Sequence, residues 1–254
     1  MKKLLAIIIT LHYSLLTIHL CEAQVIHIPA DYPTIQQGID TANEGDTVLV
    51  HPGTYVENLI IDSLNITLAS LALTTGDTSY ISRTIIDGNH TESVIRMTNV
   101  DSNMVLCGFT ITNGYANQGG GINMYAQSPP ELVWLHVTSN EIYGVWPWNF
   151  GFGGGIHANM LNLKHSKIRN NFGSIVNYMA YGGGIYIGYG SDEAEKVLQC
   201  EDVEITGNEA YYGGGLALQG QQIFAESACL SVGPADGWRI DDYRRGRPGA
   251  GSPR

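Results

Sequence analysis

The chain has 254 residues and a formal net charge of −11; 44% of its side chains are hydrophobic and 15% are charged. That length allows one large domain or two small ones, with enough apolar material for a packed core. Between Gln24 and Ala228 there are 20 acidic against 6 basic side chains, which excludes nucleic acid and anionic membrane surfaces as partners and suits calcium or neutral glycans.

In chain order, MKKLLAIIITLHYSLLTIHLCEAQ has two lysines, an apolar run from Leu4 to Leu20, and then Cys21-Glu22-Ala23. This is the pattern of a secretory signal over residues 1–23 with cleavage after Ala23, and it predicts a secreted or cell-surface protein. Leu20 is too large to precede a lipid-modified cysteine, and no stretch reaches the length of a membrane span. Without the leader three cysteines are left, Cys107, Cys200 and Cys229, an odd number that implies no closed disulfide framework. Cys107 and Cys200 read as small buried hydrophobes in strand-like text, with a disulfide between them as the alternative.

Residues 31–46, DYPTIQQGIDTANEGD, carry the one clear helical pattern. Thr34 can cap with Gln37 as its capping-box partner, Ile35, Ile39 and Ala42 share a face, and Gly45 is the stop, which predicts a helix over about 34–43. Everything later reads as short strands (TVLV, NLII, NITLAS, TIID, SVIRM, MVLCGFTI) separated by Gly, Asn, Asp and Ser.

From residue 114 to 218 the text repeats. Glycine triplets begin at Gly119, Gly153, Gly182 and Gly213, at intervals of 34, 29 and 31 residues. Each is followed by apolar residues in alternation, Ile122 and Met124 up to Leu216 and Leu218, and preceded by an apolar-x-x-Asn/Gly unit: Ile111…Gly114, Val137…Asn140, Ile168…Asn171, Ile205…Asn208. Asn and Gly most readily take left-handed backbone, so each unit predicts a left-handed corner at its last residue. A period of this size built from strands and turns indicates a β-solenoid whose coils stack at ~4.8 Å, too close for side chains where the glycines stand. A phosphate cradle is excluded, since no Gly-Lys-Ser/Thr or GxGxxG accompanies the triplets.

The stretch IPADYPTIQQGIDTANEGDTVLVHPGTYVENLII with TIIDGN and GFTITNG resembles the N-terminal part of secreted right-handed parallel β-helix proteins of the pectin-lyase-like superfamily. The GGGI and apolar-x-x-Asn pairing resembles the repeat of polymorphic outer-membrane proteins. Together the two resemblances cover about residues 25–224. They imply an all-β, right-handed parallel β-helix over 24–224, with the 34–43 helix capping its first coil and the solenoid displayed outside the cell. They imply no catalytic residue, and the clustered acidic motifs of pectin esterases and polygalacturonases are missing here.

Three groups of side chains could carry chemistry. The aromatic insertion IYGVWPWNFGF sets Tyr143, Trp146, Trp148 and Phe150 on one loop, where exposed rings suit sugar faces or a protein partner. Phe152, Tyr181 and Tyr212 each precede a glycine triplet and read as a structural stack. The basic text LNLKHSKIRNN predicts Lys167, Arg169 and His165 together on an outward face, the candidates for proton abstraction if the protein is a polysaccharide lyase; a solvated strand face is the plainer reading. The acidic text SDEAEKVLQCEDVE offers Asp192, Glu193, Glu201 and Asp202 as calcium candidates, against a solvated loop. No cofactor is otherwise expected, and His51, His136 and His157 lack metal-ligand spacing.

From residue 225 to 254 the alternation stops and five arginines crowd the end. This tail reads as truncated or out-of-frame text, with an anchoring domain expected beyond it. The reading that follows is a secreted or surface-displayed adhesion-type module that binds a polysaccharide or a surface protein. The alternative is an extracellular lyase or hydrolase acting on a uronate-containing polysaccharide.

Overall fold

The computed structural model describes residues 23–144, 150–173, 179–188 and 196–219, with the backbone of Ile223–Ser227, Leu230–Val232 and Trp238–Asp241. Residues 1–22, all but the last residue of the expected 1–23 leader, lie outside these residues, as does Cys229. The fold is all-β and parallel: from Thr47 onward the chain visits three sheets in a fixed rotation, and each pass adds one strand to each of them. In one such circuit Glu131–Val133 joins the first sheet, His136–Thr138 the second and Ile156–Ala158 the third. The next circuit repeats this with Met160–Lys164, Lys167–Arg169 and Ile185–Ile187, each paired in parallel with its predecessor. Parallel strands cannot be joined by tight hairpins, so a chain of short strands and short turns satisfies its backbone groups by pairing one circuit above the last.

Side chains of period two follow. In every circuit one phase points inward, so Leu132, Val137, Ile156, Leu161, Ile168 and Ile185 all enter a single continuous core. Among the described residues two α-helices interrupt the strands. Helix α1 (Ile35–Thr41) buries Ile35 and Ile39 in that core beside Ile26, Ile28, Val48 and Leu59. Thr34 Oγ1 accepts the Gln37 amide at 3.2 Å, and the Glu57 carboxylate takes the Ile35 and Gln36 amides at 2.9 and 3.0 Å. The helix ends at an extended Ala42, earlier than expected, and Gly45 serves the next turn at φ +84°. A second helix, α2 (Leu71–Thr75), followed by a 3-10 turn over Thr78–Arg83, corrects the expectation of strands alone after the first helix. Its signals stand in the sequence: Ser70 Oγ accepts the Ala72 amide at 3.2 Å, and Gly76 closes it at φ +70°.

The glycine triplets open the strands of the third sheet. Their first residues, Gly119, Gly153, Gly182 and Gly213, have φ between +58° and +67°. Their third residues face the next circuit at close range: a Cβ on Gly155 would lie 2.6 Å from the Gly184 carbonyl oxygen and 2.9 Å from Asn171 Nδ2.

The asparagines differ from expectation. The left-handed residues are Asn113, Ser139, Asn170 and Gly207, one position before the end of each unit. Asn140, Asn171 and Asn208 are buried instead, and their side chains form a ladder through the stack. Asn171 Oδ1 accepts both the backbone amide and Nδ2 of Asn140, at 3.1 and 3.0 Å. Asn171 Nδ2 donates to the Val137 carbonyl at 2.9 Å and to Asn208 Oδ1 at 3.0 Å. The carboxamide has a donor and an acceptor on one short arm, which satisfies buried corner amides that strand pairing misses.

Cys107 and Cys200 are both buried and free. Cys107 aligns with Val133, Lys164 and Glu201 across the first sheet, so the two thiols stand three strand spacings apart, about 14 Å, beyond disulfide reach. Burial pushes each thiol up to about 12, which makes both inert. Past the point where the sequence pattern breaks, the backbone still adds Ile223–Ser227, Leu230–Val232 and Trp238–Asp241 to the three sheets in turn; residues 242–254 lie outside the described residues.

Asn171→Ala should therefore destabilise the protein by about 3 kcal/mol, since the Asn140 amide and the Val137 carbonyl would be left buried and unmatched. The exposed left-handed neighbour is the control: Asn170→Gly should change urea-unfolding stability by under about 0.5 kcal/mol.

Candidate functional site

The outward phase of the third sheet aligns one residue per circuit into a row: Ile60, Arg96, Asn123, His157 and Tyr186. Over the first three members lies a cleft of about 280 Å³, floored by Ile60, Arg96 and Asn123 and walled by Tyr115, Asn117 and Tyr143. A second cleft, about 550 Å³, shares Asn58 and Ile60 with it and continues toward Gln36 and Asp40 on α1.

The wall is built where each circuit leaves the second sheet. The strand Tyr115–Ala116 pairs in parallel with Glu141–Ile142, and the Tyr143 amide donates to the Ala116 carbonyl at 2.9 Å. This pairing brings the rings together: His90 stacks on Tyr115 at 4.2 Å between centroids, and Tyr115 lies against Tyr143 at 4.6 Å with the ring planes tilted by 33°. The amides beside them are fixed from behind. Asn117 Nδ2 donates to the Tyr143 carbonyl at 3.0 Å and to the Phe150 carbonyl, and Gln118 Oε1 accepts the Tyr125 hydroxyl at 3.0 Å. Asn58 accepts the Thr91 hydroxyl at 2.9 Å and donates to the Ser93 carbonyl at 3.1 Å. Arg96 is exposed, and among the described residues no carboxylate lies within 4 Å of it. Polar side chains held by their own hydrogen bonds, near aromatic rings and an exposed guanidinium, make a surface that can bind a polar ligand.

Of the expected aromatic residues, Tyr143 is in this wall. Phe150 begins the strand Phe150–Phe152 beside it, its ring 6.2 Å from Tyr181. Trp146 and Trp148 lie outside the described residues; the segment that carries them starts and ends at the two carbonyls gripped by Asn117. The stack of Phe152, Tyr181 and Tyr212 is present, with centroids 5.6 and 4.9 Å apart. Arg96, Tyr115, Asn117, Gln118 and Asn123 were missed by sequence reasoning. Arg96 had a signal, a charged residue in the outward phase of SVIRM, whereas the approach of Tyr115 to Tyr143 depends on circuit stacking.

The basic text is divided by a corner. His165 sits at φ +48°, so Lys164 belongs to the first sheet and Lys167 and Arg169 to the second, which corrects their placement on one alternation with His165. Lys164 pairs with Glu131 at 3.3 Å and His165 with Asp202 at 3.2 Å. Arg169 pairs with Glu204, and that hydrogen bond holds the Glu204 carboxyl below its ordinary range. Lys167 is exposed on the same face and lies next to His136 in register. Of the calcium candidates, Asp192 and Glu193 lie outside the described residues, and Glu201 and Asp202 are exposed. Among the described residues no three His, Cys, Asp or Glu side chains converge on a metal position, and no helix is long and apolar enough to cross a membrane.

His157, deeper along the row, is buried between Tyr125, Phe152 and Tyr186, with Nδ1 at 3.1 Å from Asn123 Oδ1. Burial pulls this imidazole from 6.5 down to about 3. Between those values the unfolded chain takes up a proton that the folded chain refuses, so the stabilisation is full above 6.5 and is lost as pH falls. Half-buried His136 is depressed in the same direction, first by desolvation. Urea titrations stepped down from neutral pH should show stability falling by about 1.4 kcal/mol per pH unit from His157, and His157→Gln should lose that part of the slope.

Comparison of the chain with protein-family models, with curated proteins and with solved structures returns no match.

Proposed function

We propose that the chain is a secreted or surface-displayed right-handed parallel β-helix, related to the pectin-lyase-like superfamily with polymorphic outer-membrane protein-type repeats, and that it binds glycan chains along its third sheet. The fixed rotation through three parallel sheets, the helix over the first strands and the stacked Gly and Asn positions support the β-helix. The leader-like text over 1–23 supports export. One observation carries the binding role: the Tyr115–Tyr143 pair stands over Arg96 and Asn123 in an open polar cleft. Sugar rings offer apolar C–H faces to aromatic rings and hydroxyls to amides, and an elongated chain could continue into the neighbouring cleft by α1. A protein ligand would need a larger continuous apolar centre than this cleft has.

A second reading, an extracellular polysaccharide lyase or hydrolase, draws on one feature. Desolvation first, and then Lys167 and Arg169, depress the His136 imidazole against Glu204, which sets a candidate base beside the exposed Lys167 ammonium.

Tyr115→Ala and Tyr143→Ala should each weaken binding to the best ligand on a glycan array by roughly tenfold, measured by titration calorimetry. Arg96→Gln should reduce binding only of carboxylated or sulfated sugars, and Trp146→Ala with Trp148→Ala tests whether the adjoining segment extends the platform. Unchanged binding in the Tyr115/Tyr143 double variant would remove the cleft. The catalytic reading expects ultraviolet-absorbing products from a uronate panel, abolished by Lys167→Ala; no product from any substrate rejects the lyase.

A further inference from the structure

Asp46 is a buried carboxylate, 1% exposed, at the N-terminal end of the stack. Asn43 supplies its backbone amide at 2.7 Å and its side-chain amide at 3.3 Å to Oδ2. Oδ1 accepts the backbone nitrogen of Gln24 at 2.7 Å. Among the described residues no lysine, arginine or histidine comes within 4 Å of it. The Gln24 amide first, and then the Asn43 amide, hold this carboxyl below its ordinary range against the opposing effect of desolvation, so the site keeps a negative charge that no cation of the described residues meets. Gln24 is held in place from the other side, where its carbonyl accepts the Thr47 amide at 2.8 Å and the strand Val25–Ile28 pairs with Thr47–Val50.

The nitrogen aimed at Asp46 is the atom that becomes an α-amine if the chain is cut between Ala23 and Gln24. We infer that this bond is a processing site and that the ammonium released on Gln24 is the counter-ion of Asp46. Hydrolysis adds one water, leaving a carboxylate on Ala23 and the ammonium on Gln24, so the nitrogen keeps its acceptor and gains a charge. Cleavage then does more than remove a leader: it completes an ion pair that locks the first strand onto the stack. The inference rests on the export reading, but the pairing is testable without export.

The processing half is tested by exporting the whole chain from a secreting host and measuring the intact mass. A chain beginning at Gln24 is expected. A different first residue overturns it, and so does a Gln24 chain lighter by one ammonia, since cyclised Gln24 carries no charge. The pairing half uses two purified proteins, one beginning at Gln24 and one keeping Glu22 and Ala23 in front of it, each with and without Asp46→Asn. Asparagine removes the charge and also turns one acceptor oxygen into a donor; the lost acceptor is common to both backgrounds, so the difference between them isolates the charge. Asp46→Asn should reduce the folding equilibrium constant about tenfold more in the protein that begins at Gln24. An equal loss in both backgrounds means that Asp46 acts through hydrogen bonds alone and overturns the ion pair, whatever the secreted mass.

Discussion

The rest of the structure depends on the spacing between successive circuits. Strands paired in parallel lie about 4.8 Å apart, and each residue has its counterpart of the next circuit directly above it. Whatever stands at a given position is therefore repeated at that distance. Apolar residues repeated in this way become a continuous core, as Ile122, Ile156, Ile185 and Leu216 do along the third sheet. Where two backbones approach at a corner the same spacing leaves no room for a side chain, and only glycine fits. Where a corner turns its amides inward, a buried donor and acceptor must be repeated as well, and the Asn140–Asn171–Asn208 ladder supplies them.

This constraint also makes the candidate site. The outward phase of the third sheet is packed at His157 and Tyr186 but open at Ile60, Arg96 and Asn123, where residues far apart in sequence come into one row. Arg96 and Asn123 are adjacent because they share a register. Tyr115 and Tyr143 meet because their short strands pair one circuit apart. From Cys107 onward, variation in repeat length falls on both sides of the third sheet, before the glycine triplet and again on the way to the first sheet, whereas the step from the first sheet to the second is constant. A stacked scaffold can thus enlarge a binding surface there without disturbing its interior.

Charge follows the same geometry. An acidic chain with few cations could gather them into a basic patch, but Lys164, His165 and Arg169 each meet a carboxylate of a neighbouring circuit. Among the described side chains, Arg96 and Lys167 are the lysine and arginine cations with no carboxylate within 4 Å. Exposed pairs of this kind contribute little to stability, so their effect is mainly on which ligands approach.

The sequence by itself determined the all-β class of the fold, the inner phase of the strands, the N-terminal helix and the stack of Phe152, Tyr181 and Tyr212. All of these follow from period-two alternation, cap residues and a repeat interval, which are local or repeated signals. It misread the asparagines, because left-handed propensity and side-chain hydrogen bonding favour the same residue, and only the burial of Asn140, Asn171 and Asn208 separates the two. It passed over α2, whose Ser70 and Gly76 caps enclose too few residues to show a helical period. Only the tertiary structure decided that Cys107 and Cys200 stand apart, that the basic text is split by a corner at His165, and that Arg96, Asn123, Tyr115 and Tyr143 share one cleft. Each of these depends on the register between circuits, and register is a relation between distant segments that no single stretch of the chain encodes.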